Sequence, residues 1–519
     1  MNIINRGTGS TESERYLATL ADRTFLNLWS YPNPYNDRGA GTNKDGKELC
    51  DLLIVCGDDV IVFSDKAIRW PDGNDPNLAW SRWYKRAVEH SVKQLCGAER
   101  WIQQYPNRIF VDPRCSTPLV AALPPPDRIK VHLIAVALGS HAACSAYYGD
   151  QDGSLMVSSD IVGSAHVDPK SPTYKPFCIG DVAPEGTFVH VFDETALNLA
   201  MREMDTIADF VSYLSDRAEA IRQQKVLMAA SEAEMLAYYL LHQRDDGTHL
   251  FPQPISPDGA VISISLPPGS YFEYKSSPTA KSKSAADRIS YKWDRLITNF
   301  SNHILAGTSV PVRGEVPVPA DGERALRLMA LENRTTRRAL AEAFVGALQS
   351  SERHGQDRFA RVILPQRGAA DPESAYVFLV MAFRPTLLGG ITYEQYRHVR
   401  SAHLEAYGDA VLYDNRNLKR VVGIALDASP RVTGQKGGSE DLMLLERLSW
   451  TPEAEREIED RRAKLDVLLE SRVERFTGST QEFPIPFSYG SRKSVGVSAP
   501  GGNRHQRRKA KSLSGKLRK

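Results

Sequence analysis

Asp51, Ser64, Asp65 and Lys66 are the residues whose types and spacing offer chemistry. They lie on the stretch 48–66, where two apolar runs, 49–56 and 60–63, flank Gly57-Asp58-Asp59, a strong hairpin signal. Apolar strands rarely turn ionisable groups inward without a partner or a metal. An acid on one strand facing a lysine on its partner suits phosphodiester hydrolysis. The carboxylate holds a hard divalent cation that polarises the phosphoryl oxygen and deprotonates a water, and the ammonium neutralises developing charge.

The turn length decides which side chains meet. A two-residue loop, Gly57-Asp58 or Asp58-Asp59, sets Asp51 opposite Ser64 or Lys66, and opposite residues share a face. Asp51, Ser64 and Lys66 then converge while Asp65 points away. A three-residue loop reverses this and pairs Asp51 with Asp65.

Helices must position these groups. Thr11 followed by Glu14 predicts a helix start, with an apolar stripe of Tyr16, Leu17, Leu20, Phe25 and Leu28 over 12–29. A loop covers 30–46. A long amphipathic helix is expected over 78–105, with Trp80, Tyr84, Ala87, Val88, Val92, Leu95, Ala98 and Ile102 inward. Its other side carries Arg82, Lys85, Arg86, His90 and Lys93, a basic stripe that suits a phosphate backbone and equally suits a solvated face. Strands follow at 108–111, 130–138 and 187–192.

Beyond residue 193 helical patterns cover 193–223, 230–244, 285–305 and 323–350, and 275–284 reads as a mobile loop. Strands at 359–364, 376–383 and 421–426 with a helix near 393–406 predict a second α/β unit. The stretch 442–475 reads as a charged helix. The end of the chain, rich in bases and without acids, reads as a disordered tail that either binds nucleic acid or solubilises the end.

At 519 residues the chain calls for two or three domains, and its 42% apolar and 25% charged content excludes disordered and fibrous classes. A net charge of +2 means that affinity for nucleic acid must come from local patches. The six cysteines show no metal-ligand spacing and favour a cytoplasmic setting. No signal peptide or membrane-spanning run is present in the sequence as given. Gly41 to Lys47 matches a P-loop spacing, but Glu48 replaces the hydroxyl residue and the strand-before, helix-after context is missing.

A helix with an acid near its start (Glu14, with Glu12 as alternate), then Asp51, then Ser64-Asp65-Lys66, then a helix with Lys93-Gln94, resembles the PD-(D/E)xK nuclease superfamily. The resemblance covers about residues 10–140. It implies a restriction-endonuclease-like α/β (α+β) mixed sheet flanked by helices, followed by a helical region and a second small α/β unit. Its boundaries would be 1–192, 193–310, 311–440, a charged helix at 441–482 and the basic tail at 483–519.

The resemblance further implies a Mg²⁺- or Mn²⁺-dependent endonuclease acting on DNA, with an antiviral defence role and with a partner protein or a second copy as further partners. Asp51 would be the first metal-binding acid and Lys66 the lysine of the second motif. Glu14 would be the helix carboxylate, and Gln94 and Lys93 would support the site. The second acid of the pattern falls on Ser64, so Asp65 (through a bulge or a longer turn) or Glu14 would have to supply that charge. Two plainer readings stand beside these. Glu14 is also the third residue of a capping box, and Asp51 with Lys66 also makes an ordinary cross-strand ion pair. A nuclease fold that binds nucleic acid or a partner without cleaving is the alternative function.

Overall fold

The computed structural model describes residues 3–486 apart from 41–44, 74, 150–152, 245–246, 254, 256–261, 312–317, 367, 385–389, 430–437 and 469–480. The chain is a mixed α/β protein that divides into two compact units, residues 5–284 with 483–519, and residues 1–4 with 285–482. Most of the expected basic tail, and residues 469–475 of the expected charged helix, lie outside the described residues.

The first unit opens with α1 (Glu12–Thr24), β1 (Ser30–Pro32), β2 (Tyr35–Asn36), β3 (Lys47–Glu48), β4 (Leu52–Cys56) and β5 (Asp59–Ala67). It continues with α2 (Pro76–Tyr84), one π turn at Lys85–Glu89, α3 (His90–Gln104), β6 (Ile109–Phe110) and β7 (Lys130–Leu138). Then come α4 (His141–Tyr148), β8 (Met156–Val162), β9 (Cys178–Asp181) and β10 (Val189–Phe192). Its main sheet has five strands in the order β1-β4-β5-β7-β10. The pairs β1–β4 and β4–β5 are antiparallel, while β7 and β10 continue parallel to β5. The β5 to β7 link is the long helical crossover that a parallel pair requires.

The hairpin turns at Gly57-Asp58, because Cys56 pairs with Asp59 and Leu52 with Phe63. Gly57 takes a φ of 66°, which a side chain resists and glycine allows. Every residue from Leu52 to Cys56 is buried, so this strand is covered on both faces. On one face Phe63 meets Phe25, which follows α1. On the other, Ser64 meets Ser91 of α3. The sheet is thus held between α1 and the α2–α3 helix, and each strand residue is assigned a side.

The expected strand at 108–111 forms as β6, which pairs with β2 in a separate three-stranded sheet instead of joining the main one. The helical pattern at 193–223 divides into α5 (Glu194–Glu203) and α6 (Ile207–Arg222), because Thr206 caps a new helix start through the Asp209 N–H. Next come β11 (Val226–Ala229), α7 (Glu232–Leu240) and β12 (Ile264–Leu266), and these two strands extend a second sheet, β12-β11-β8-β9. Residues 193–284 belong to the first unit.

The expected loop at 275–284 is a correction: it forms the end of α8 (Ser270–Ser276) and most of α9 (Pro278–Asp287). Pro278 occupies the first helical position, where a missing N–H costs nothing, and the Ser277 hydroxyl accepts the Ala280 N–H at 3.1 Å.

The second unit has α10 (Tyr291–Leu305), α11 (Pro319–Ala330), α12 (Arg334–His354), β13 (Arg358–Ile363) and β14 (Ser374–Met381). It ends with α13 (Tyr393–Asp414), β15 (Arg420–Asp427), β16 (Glu440–Glu446) and α14 (Pro452–Leu465). The expected helix at 323–350 is two helices, and 442–446 belongs to β16, with the charged helix starting only at Pro452. Its sheet runs β13-β14-β15-β16 with a parallel β14–β15 pair.

Candidate active site at the divergence of two strands

Asp51 is the last residue before β4, at the point where that strand parts from β5. Its backbone N–H donates to the Phe63 carbonyl at 3.2 Å, although Phe63 is already paired with Leu52, so the regular register ends at this residue. Its Oδ2 accepts the backbone N–H of Asp65 at 2.5 Å and the Lys66 Nζ at 3.2 Å. Its Oδ1 receives a long contact from Gln94 Nε2 at 3.4 Å. Asp51 is buried and Lys66 partly exposed. The carboxylate thereby replaces the ladder bond that β4 no longer offers to Asp65, and it also carries the lysine.

Ser64 is wholly buried on the same face. Its hydroxyl lies 3.2 Å from Ser91 Oγ and 3.1 Å from Gln94 Oε1, so its single proton serves one at a time. Ser91 donates to the Ala87 carbonyl at 2.8 Å, which leaves its oxygen free to accept. Gln94 therefore joins Ser64 to Asp51. Lys93 is exposed and takes no part in this chain of contacts.

Asp65 lies on the opposite face of β5, beside α1. Neither pairing of β5, with β4 or with β7, contains a bulge, so Asp65 is not carried round to the Ser64 side. Both its carboxylate oxygens are buried and neither accepts a hydrogen bond of good geometry. Burial chiefly pushes its carboxyl up to about 6, with the Asp51 and Glu14 charges adding to this and with Ser13 and Lys66 opposing it.

Glu14 is a helix cap and a neighbour of the site at once. Its N–H donates to Thr11 Oγ1 at 3.2 Å, and its Oε2 accepts the Ser10 N–H at 2.8 Å and Asn33 Nδ2 at 3.0 Å. Partial burial raises its carboxyl, but the bonds from Asn33, Ser10 and Thr11 outweigh that and hold it below its ordinary value. Glu12 adds its charge only to the first helical turn.

Two residues join the site that sequence reasoning passed over. Asn33 ties the Glu14 carboxylate to the loop, and its own N–H donates to the Asp51 carbonyl at 3.0 Å. It is held at a φ of 47°, a conformation asparagine tolerates better than most residues. Glu48 is the other. Burial raises its carboxyl first; Asn33 opposes this, and Asp51 and Glu14 raise it further. The signals were present as Pro32-Asn33-Pro34, a turn sequence, and as an acid three residues before Asp51. Both were absorbed into the reading of 30–46 as a loop and of 41–47 as a false P-loop.

Glu14, Glu48, Asp51 and Asp65 thus lie within electrostatic reach of one another, with Lys66 as the cation bonded to one of them. All the donors are carboxylate oxygens, which suit a hard divalent cation, and the two unbonded oxygens of Asp65 are groups such an ion would satisfy. Among the described residues, no three His, Cys, Asp or Glu side chains are grouped so as to hold one ion. Any ion held here would keep most of its waters and take one or two of these carboxylates, because they do not make an all-protein cage.

No family model matches the chain, and neither a curated protein nor a solved structure does. Among the described residues no helix is long and apolar enough to cross a membrane.

Proposed function

We propose that the first unit is a metal-dependent nuclease of the PD-(D/E)xK type, hydrolysing phosphodiester bonds in DNA. The observation that carries this reading is the Asp51 carboxylate, bonded to Lys66 and flanked by the unbonded carboxylate of Asp65. The element order supports it: a helix, three antiparallel strands, a helix and a strand parallel to the third, with the charged residues where the middle strands part.

In this reading Asp51 would hold Mg²⁺ or Mn²⁺ with at most one further carboxylate, from Asp65, Glu14 or Glu48, and water would fill the remaining positions. The ion supplies polarisation of the phosphoryl oxygen and a more acidic water. Lys66, partly exposed beside Asp51, offsets charge on the phosphate. Gln94 orients Asp51 from the helix. The free cysteines fit a reducing cytoplasm, and a defence role against foreign DNA is the biological setting we attach to it. Asp51→Ala and Lys66→Ala should each abolish Mg²⁺-dependent cleavage with the fold intact; wild-type cleavage by either variant would sink the assignment.

Ser64 favours a second reading, a nuclease fold that binds nucleic acid or a partner protein without cutting. A serine sits where an acid would strengthen the metal site, and its hydroxyl is already engaged with Ser91 and Gln94. Calorimetry with Mn²⁺ separates the two: heat that disappears in Asp51→Asn and Asp65→Asn supports the enzyme, and no Asp51-dependent heat supports the binder.

A further inference from the structure

The helix that delivers Gln94 to Asp51 has a second face. Trp83 and Tyr84, Ala87 and Val88, and then Ser91 and Leu95 are buried against the sheet at four-residue steps. A regular α-helix would drift off that line. The π turn at Lys85–Glu89 widens the helix at this point and keeps the four-residue pattern in register. Arg82, Lys85, Arg86, Lys93 and Arg100 are all exposed.

No ion pair engages any of these five among the described residues. Two acids lie on this helix: Glu99 accepts the Thr187 hydroxyl at 2.5 Å, and Glu89, half-buried at the end of the π turn, makes no ion pair with the five. A solvated charged helix looks different in this same protein. On α14, Arg456, Arg461 and Arg462 are each paired with carboxylates, Arg461 with Glu405, Asp409 and Glu457. These bases of α2–α3 run from Arg82 to Lys93, one residue from Gln94, with Arg100 further along α3. From Arg82 to Lys93 the helix extends about 16 Å at 1.5 Å per residue.

We propose that this face is the track that holds the phosphate backbone of DNA flanking the Asp51–Lys66 site. Its chemistry is that of point charges and guanidinium forks on an exposed helix, which reads charge and spacing and carries no base sequence. The inference rests on the nuclease reading for its position, but the binding itself does not require cleavage.

The test is fluorescence anisotropy of a labelled 20-base-pair duplex against the full-length protein, without divalent metal, from 50 to 300 mM salt. Wild type is compared with Arg82→Ala/Lys85→Ala/Arg86→Ala/Lys93→Ala. A second variant, Arg456→Ala/Arg461→Ala/Arg462→Ala, removes a similar number of bases from α14. Each phosphate contact contributes about 0.9 to the slope of log affinity against log salt. The four-base variant is expected to lower that slope by about 3 and to weaken binding more than about 10-fold at 50 mM. The α14 variant is expected to leave both near wild type. Equal slopes in wild type and the four-base variant, equal losses in both variants, or no binding by wild type would each overturn the proposal. Lost cleavage in Asp51→Ala with this binding unchanged would leave the track standing, whereas binding without any cleavage by wild type would count against the nuclease reading alone.

Discussion

Asp51 accepts the backbone N–H of Asp65 at 2.5 Å, so the residue we propose as a metal ligand is also the residue that ends a strand pairing. One carboxylate thus serves the local fold through one contact and charge chemistry through its neighbours Lys66 and Gln94.

That double use separates two substitutions. Asp51→Asn keeps a carbonyl oxygen for the Asp65 N–H and loses the charge. It should unfold within about 1 kcal/mol of wild type in urea and lose cleavage. Asp51→Ala also leaves the buried N–H unbonded and should be about 1–3 kcal/mol less stable than Asp51→Asn. Equal stabilities of the two would show that the strand-end bond contributes nothing.

Ser64→Asp places a second carboxylate on the face that Asp51 and Lys66 share. Metal affinity by calorimetry should rise about 10-fold or more, with a gain in cleavage. The metal-free protein should lose about 1–3 kcal/mol, because an acid replaces a buried, hydrogen-bonded hydroxyl. Unchanged metal affinity in a folded variant would argue that no ion binds beside Asp51.

His166 gives a pH dependence independent of the site. Its Nδ1 lies 2.7 Å from the Gly163 carbonyl, the Gly180 N–H donates to its Nε2 at 3.0 Å, and its ring stacks on Tyr84. Burial is the chief reason its pKa falls from 6.5 to about 4; the Gly163 carbonyl and Asp181 oppose this. The unfolded chain takes up this proton below pH 6.5 and the folded chain refuses it until about 4. The stability it confers is therefore complete above 6.5 and is lost as pH falls toward 4, by on the order of 3 kcal/mol in all. Ring resonances followed by NMR should stay unprotonated from pH 7 to 5; a midpoint near 6.5 would refute this.

The hairpin was legible because its causes are local. Two apolar runs around Gly57-Asp58 fix a tight turn, and side-chain alternation then puts Asp51, Ser64 and Lys66 on one face. The long helix was legible from its periodicity, and so were β7 and the second α/β unit. The π turn was not, because its mark, apolar pairs repeating at strict four-residue steps, spans too few turns to stand out from an ordinary helical stripe. The 275–284 stretch was misread because Ser and Pro mark loops in general, whereas here Ser277 and Pro278 begin a helix.

By itself the sequence determined the hairpin and narrowed the site to two arrangements, Asp51 with Ser64 and Lys66 for a two-residue turn or Asp51 with Asp65 for a three-residue one. Only the tertiary structure decided what surrounds these residues. Asp65 faces α1 and Ser64 faces α3 because helices cover both sides of the sheet. Asn33 and Glu48 come to the site from a loop and a two-residue strand whose positions depend on long-range packing, and no spacing rule along the chain specifies that.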